Sequence, residues 1–316
     1  MLARLICLVS GLALSTECLA STPLDVQTSA MGTPHSATFS LTEYGSDLVG
    51  VGAGGQVFVK RDGKEAWDTI QLPAEQRALL DVAKVGQSVV AVGQEGLIYT
   101  SKDAKDWSSI ESGSQARLFG ISGNDEGLAV AVGAFGAVLR STDSGRSWEP
   151  VPMDWMALLN EPYEPHIYDV HVDASGRTTI VGEFGMVAQS PDGAADWSLL
   201  RKDEASLFAI AYSASGSDIY AVGQAGELIH SSDSGDNWQR IETGTESILL
   251  NVSVDAEGNA LVSGLRDCLW YSRADQRLQK VDSPVLSEKW YSAATVTQDK
   301  RFYLAGQAGH IVSLSK

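Results

Sequence analysis

The sequence predicts an all-β fold, a seven-bladed β-propeller of four-stranded antiparallel blades. Three observations predict it. A phrase built on Gly-x-x-Gly and set among alternating apolar residues returns seven times, with Asp267 replacing the second glycine in the sixth copy, its period stays close to 41 residues, and no stretch beyond the first twenty residues sustains a helical period. The phrase reads VGVGAGGQVFVK from Val49, VAVGQEGLIYTS from Val90, VAVGAFGAVLRS from Val130, TIVGEFGMVAQS from Thr179, YAVGQAGELIHS from Tyr220, LVSGLRDCLWYS from Leu261 and YLAGQAGHIVSL from Tyr303. Its leading glycines, Gly52, Gly93, Gly133, Gly182, Gly223, Gly264 and Gly306, are spaced by 41, 40, 49, 41, 41 and 42 residues. The copies fill residues 21–316, so the chain after its leader is expected to be one propeller domain.

Each copy supplies its strands in the same order. An apolar segment such as LFGISG at Leu118, LFAIAYS at Leu207 or LLNVSVD at Leu249 gives the first strand, and the run into Gly-x-x-Gly gives the second. The third follows at once, so the glycines mark hairpin turns rather than phosphate loops, which would need a helix behind them. A polar turn then leads to Trp and a short fourth strand. That turn reads SKDAKDW from Ser101, STDSGRSW from Ser141, SPDGAADW from Ser190 and SSDSGDNW from Ser231. In it a carboxylate can accept the amides of its own turn, and Gly supplies the positive φ the turn needs. Ser141, Asp143, Gly145 and Trp148, Asp192 and Trp197, and Asp233, Gly235 and Trp238 are therefore expected to be structural, with each Trp packed between blades.

The seventh copy ends after three strands, at HIVSLSK. The open edge this leaves would be an aggregation hazard. Residues around 22–28, where Leu24 and Val26 alternate, are predicted to pair with 310–315 and complete the blade; the alternative is a free tail. The first 20 residues carry Arg4, an apolar run from Leu5 to Leu14 and small Ala20 before Ser21, which reads as a Sec signal peptide cut after Ala20. An apolar run of about ten residues is too short for a membrane anchor, which needs roughly 20. The expected location is the periplasm or outside the cell, with no direct membrane insertion.

The formal charge is −17, and loss of Arg4 and Glu17 with the leader leaves it unchanged. Clustered Lys and Arg are missing, which excludes nucleic acid as a partner. Cys7 and Cys18 leave with the leader, so Cys268 is expected to be a lone strand residue and stability must come from packing. No metal or cofactor is expected. His35, His166, His171, His230 and His310 are isolated, and the two carboxylates of DSGD at Asp233 are explained by the turn.

On the Ser-x-Asp-x-Gly-x-x-Trp turns the chain resembles proteins with Asp-box, or bacterial neuraminidase, repeats. With the VAVG-x-x-G phrase in seven copies it is similar to the photosystem II stability/assembly-factor-like propellers, over nearly all of residues 21–316. The resemblance implies that the Asp-boxes at Asp143 and Asp233 are structural. It also implies, for the photosynthetic members, a basic patch that holds a membrane-protein precursor. This acidic chain lacks such a patch, which points to a non-photosynthetic bacterial member.

A sialidase-like glycoside hydrolase is the alternative. It would need three convergent arginines and carries an early Arg-Ile-Pro phrase, absent here, while Arg117, Arg140, Arg177, Arg240, Arg266 and Arg273 fall at non-equivalent slots. The reading is therefore a non-catalytic, monomeric scaffold or assembly factor for an envelope or membrane protein complex. The surface is set by the one long interval, 49 residues, which falls between the third and fourth copies. The extra residues lie in 152–170, an apolar link expected either to fold over the central channel or to meet a partner. Trp155, Met156, Leu158, Leu159, Tyr163 and His166, continued by Phe135 and Phe184 of the adjoining Gly-x-x-Gly turns, are the candidate partner contacts.

Overall fold

The structure is a computed structural model that describes residues 24–30 and 33–315; the expected signal segment, 1–20, lies outside the described residues. Seven four-stranded antiparallel sheets follow one another round a ring. Blades one to six cover residues 38–71, 79–110, 118–150, 167–201, 207–240 and 249–280. In blade seven, three strands within 291–315 are joined by Asp25–Ala30, which pairs antiparallel with His310–Ser315, Val26 opposite Leu314. Leu24 and Val26 pack against the cluster of Leu304, Val312 and Leu314, so the two ends of the described chain share one sheet.

The continuous apolar runs of the second strands follow from their place in the blade. Ala129–Gly133, Ile219–Gly223 and Ala260–Gly264 are buried at every residue, because neighbouring blades cover both faces of each sheet. The core is accordingly a set of clusters between blades, such as Val90, Val92 and Ile98 of blade two with Leu118, Ala131 and Leu139 of blade three. The first strands touch one another round the ring, and Thr38–Tyr44 meets Tyr291–Val296 to complete it.

The polar turns between third and fourth strands are held by bonds to their own Ser and Asp side chains. Asp143 Oδ1 accepts from the amides of Arg146 and Ser147, both at 2.9 Å, and from Ser141 Oγ at 2.9 Å, while Ser147 Oγ donates to Oδ2 at 2.7 Å. Ser141 Oγ in turn accepts from Gly145 N, and Trp148 Nε1 donates to Gly145 O. Asp233, Ser231, Gly235 and Trp238 repeat the pattern, and Asp192 accepts from Ser190 Oγ and the amides of Ala195 and Asp196. Trp148, Trp197 and Trp238 are half-buried, each against the cluster shared with the preceding blade. In blade six, where this turn has lost its Trp, Arg273 reaches back to Asp218 of blade five, which also binds His230 Nε2 at 2.9 Å.

The long link between blades three and four is folded down, although not over the channel. Its one-turn helix α1, Trp155–Leu159, starts at Asp154, whose Oδ1 accepts from Ala157 N, and stops at Asn160, which is left-handed with φ 55°. Trp155 and Leu159 are buried among Val130, Val132 and Val138 of blade three and Ile180 and Met186 of blade four. The helix also meets Ser198–Arg201, the outer strand of blade four. The link thus seals the seam between two blades. A second one-turn helix, α2, Pro284–Glu288, lies in the link between blades six and seven. Helices of five residues are too short to leave a helical period in the sequence.

Candidate protein-binding face

Chain direction alternates through each blade, so the Gly-x-x-Gly turns share a face with the links between blades, and the Ser-x-Asp turns lie on the opposite one. Hydrogen bonds tie the shared face together: Gly136 N donates to Pro165 O, and Glu183 N to His166 O. In each of the seven turns, the sixth of which ends in Asp267 instead of Gly, the third residue is left-handed. Gly54, Glu95, Phe135, Phe184, Ala225, Arg266 and Ala308 hold φ between 53° and 66°. Gly136 follows at φ +67°, and a Cβ there would lie 2.2 Å from Trp155 Nε1. The glycine is what lets the buried indole come up against the turn.

Phe at a left-handed position is sterically costly. Phe135 and Phe184 occupy it in adjacent blades and leave their rings 71% and 45% exposed. Beside them runs a string of aromatic contacts. Phe135 meets His166 edge-on at 4.9 Å between centroids, His166 meets Phe119 at 6.1 Å, Phe119 meets Tyr168 at 5.6 Å, and Tyr168 meets Phe208 at 5.0 Å. Tyr163 packs on Phe184 at 5.1 Å. The string therefore crosses the first strands of blades three, four and five where those strands begin.

Phe119, Tyr168 and Phe208 share a position. Each first strand slips register by one residue at its start, and the residue left over is Phe39, Leu80, Phe119, Tyr168, Phe208, Leu250 or Ser292. A bulge re-aims its side chain out of the ladder, and here six of the seven bulge residues are apolar or aromatic. Sequence reasoning placed Phe119 and Phe208 in strands and missed this arc. The signal available was the second letter of the repeated first-strand phrase, aromatic in LFGISG and again in LFAIAYS.

Of the candidate contacts, Phe135, Met156 and Phe184 are exposed, Leu158, Tyr163 and His166 half-buried, and Trp155 and Leu159 buried. The last two are buried in the seam between blades and hold the link in place, and Trp155 forms part of the wall of a depression beside α1. Their burial follows from the amphipathic spacing of Trp155 and Leu159 on one turn of helix, with Met156 left facing outward.

Below the arc, the residue after the bulge is Asp81 in blade two and Asp169 in blade four. Asp81 accepts from Ile121 N of blade three at 2.6 Å, and Asp169 from Ile210 N of blade five at 2.8 Å. Both carboxyls are raised above the ordinary range, foremost by burial, and that of Asp169 further by the charge of Asp81. They stitch inner strands together, as Asn251 does at the same slot of blade six by donating to Ser292 O.

Arg140, Arg177, Arg240 and Arg273 each pair with a nearby carboxylate, of Glu149, Asp173, Glu227 and Asp218 respectively. Cys268 is buried, and burial pushes its thiol up to about 12. Among the described residues no group of three or more His, Cys, Asp or Glu is placed to hold a metal ion, and no helix is long and apolar enough to cross a membrane.

Comparison with known proteins places this architecture in a class. The family model of the photosynthesis system II assembly factor YCF48 matches residues 151–248, a span that includes the long link and two of the Ser-x-Asp turns. A structure of YCF48 bound to a D1 peptide is 16% identical with a TM-score of 0.73, covering 96% of this chain and 100% of that one. YCF48 from Cyanidioschyzon merolae is 16% identical at a TM-score of 0.72, over 91% and 98%. Virginiamycin B lyase from Staphylococcus aureus shares the fold at a TM-score of 0.79 and 9% identity, over 93% and 99%, so the fold alone does not exclude catalysis. No curated protein matches by sequence. The chain is a seven-bladed propeller similar to the photosystem II assembly factors.

Proposed function

We propose that this protein is a non-catalytic binding scaffold, an assembly or accessory factor for an envelope or membrane protein complex, and that it engages its partner through the link face at blades three and four. One observation carries the reading. Among the described residues six large apolar side chains are exposed, and five of them, Phe135, Met156, Phe184, Ile248 and Leu265, belong to links or Gly-x-x-Gly turns; only Leu200 lies elsewhere. Apolar surface gathered on one face, two of its rings at a conformational cost, is the mark of an interaction site. The similarity to YCF48, one structure of which holds a D1 peptide, supports a protein partner. The leader-like first 20 residues support an exported protein acting in the periplasm or beyond. Local pairing of the arginines supports a role without sialidase-type chemistry.

The test is affinity capture from envelope extract by the wild type and by a Phe135→Ala/Phe184→Ala variant. Recovery of an exported or integral-membrane protein by the wild type alone supports the reading. Equal recovery by both removes the face from the account, and hydrolysis of a glycoside by the purified protein contradicts the non-catalytic role.

A further inference from the structure

Phe135 stands between two depressions of the link face. The one beside α1 encloses about 620 Å³ and is lined by Phe135, Met156 and Tyr163 together with the carboxylates of Asp154, Glu161 and Glu164. The one on the channel side, about 680 Å³, is lined by Phe135, Phe119 and His166 with Arg117. Charge is thus divided across the ring of Phe135, with acid on the α1 side and a guanidinium on the other.

Residues 152–165 contribute three carboxylates and no Lys, Arg or His. Two are partly engaged. Asp154 uses Oδ1 to cap α1, and Glu161 meets Lys202 Nζ at 3.2 Å. Glu164 is exposed and enters no ion pair among the described residues. Lys202 also shows what the site accommodates, for its Nζ lies 5.8 Å above the centre of the Tyr163 ring while it pairs with Glu161. An ammonium can therefore rest between ring and carboxylate here.

Resting on the reading of this face as a protein-binding surface, we infer that its occupant is an extended polypeptide segment that crosses Phe135, setting a large apolar side chain against Phe135 and Met156 and a Lys or Arg against Glu161 and Glu164. Charge complementarity selects this partner. Three carboxylates set against one cation, Lys202, leave a negative surplus beside an apolar depression, which attracts a basic residue, repels acidic segments, and excludes nucleic acid and anionic lipid. An extended chain fits because depressions open on both sides of one exposed ring.

A random peptide library selected on the full-length protein, with counter-selection on Phe135→Ala, tests this. The expected sequences carry Lys or Arg within a few positions of Phe, Leu, Met or Trp. Their binding should weaken about tenfold or more in Glu161→Gln/Glu164→Gln and in high salt. It should strengthen in Lys202→Gln, which frees Glu161; a purely structural role for these charges would not produce that gain. Selection of acidic or uncharged sequences, undiminished binding to the Gln variant, or no enrichment over Phe135→Ala overturns the inference. Should envelope capture depend on Phe135 and Phe184 while the Gln variant captures as well as wild type, the scaffold reading stands and the inference falls. Should basic peptides bind as described while the wild type captures no envelope protein, the scaffold reading falls alone.

Discussion

Asp143 and Asp169 show how one side chain takes opposite values in one ring. At Asp143 burial works to raise the pKa, but donors from Ser147, Ser141 and Arg146 outweigh it and bring the carboxyl down to about 2. A lowered folded-state value stabilises above the unfolded value near 3.8 and is lost as pH falls toward 2. Asp143→Ala should accordingly cost about 1–3 kcal/mol at neutral pH, by leaving turn amides without an acceptor. Denaturant unfolding at pH 7 and at low pH checks it, since the difference from wild type must shrink as acid protonates Asp143. At Asp169 burial comes first and the charge of Asp81 adds to it, so the carboxyl is raised. A raised folded-state value stabilises below the unfolded value and is lost as pH rises through the folded one. Stability should therefore decline from about pH 4 into the neutral range, and Asp169→Asn should flatten that decline. Asn251 in the equivalent slot of blade six shows that the strand accepts an amide there.

At the scale of elements, the link carrying α1 is where sequence and structure part. Its length and apolar character were legible, because one interval of 49 among intervals near 41 marks it. Which of its residues point outward was not. Trp155 and Phe135 are both aromatics in connecting segments, and only the fold decides that Trp155 enters the seam between blades while Phe135 stands 71% exposed. The deciding contact is Gly136 against the indole, a pairing across 19 residues that no local pattern encodes. The Ser-x-Asp turns, by contrast, were readable in their side-chain bonds, because the Ser and Asp oxygens accept from donors within four residues. Trp155→Ala should lower stability by about 3–5 kcal/mol, as truncation of a buried indole does. Thermal unfolding checks it; a loss under about 1 kcal/mol would mean that the link is loosely held.

Over the whole molecule, the strand from Asp25 to Ala30 joins the ends of the propeller. Val26 and Leu24, the residue just before the strand, pack into the apolar cluster of blade seven, so Leu24→Asp/Val26→Asp should detach the strand and expose the edge of His310–Ser315. The expected result is a cooperative loss of stability with aggregation at elevated concentration, read by light scattering during thermal unfolding. A monodisperse variant that melts with the wild type would show that the ring closes without this strand. The ring in turn gives the link face its rigidity, because the aromatic arc is spread over the first strands of three blades.

The most direct measurement of the central claim, that this arc is a partner-binding surface, is the equilibrium affinity of the captured partner for wild type and for Phe135→Ala/Phe184→Ala, taken beside their melting temperatures. Ala225 and Ala308 occupy the same left-handed slot in blades five and seven, so the fold tolerates the change. The account predicts an affinity loss of about 2 kcal/mol or more with no fall in melting temperature. Unchanged affinity, or a loss that tracks unfolding, would contradict it.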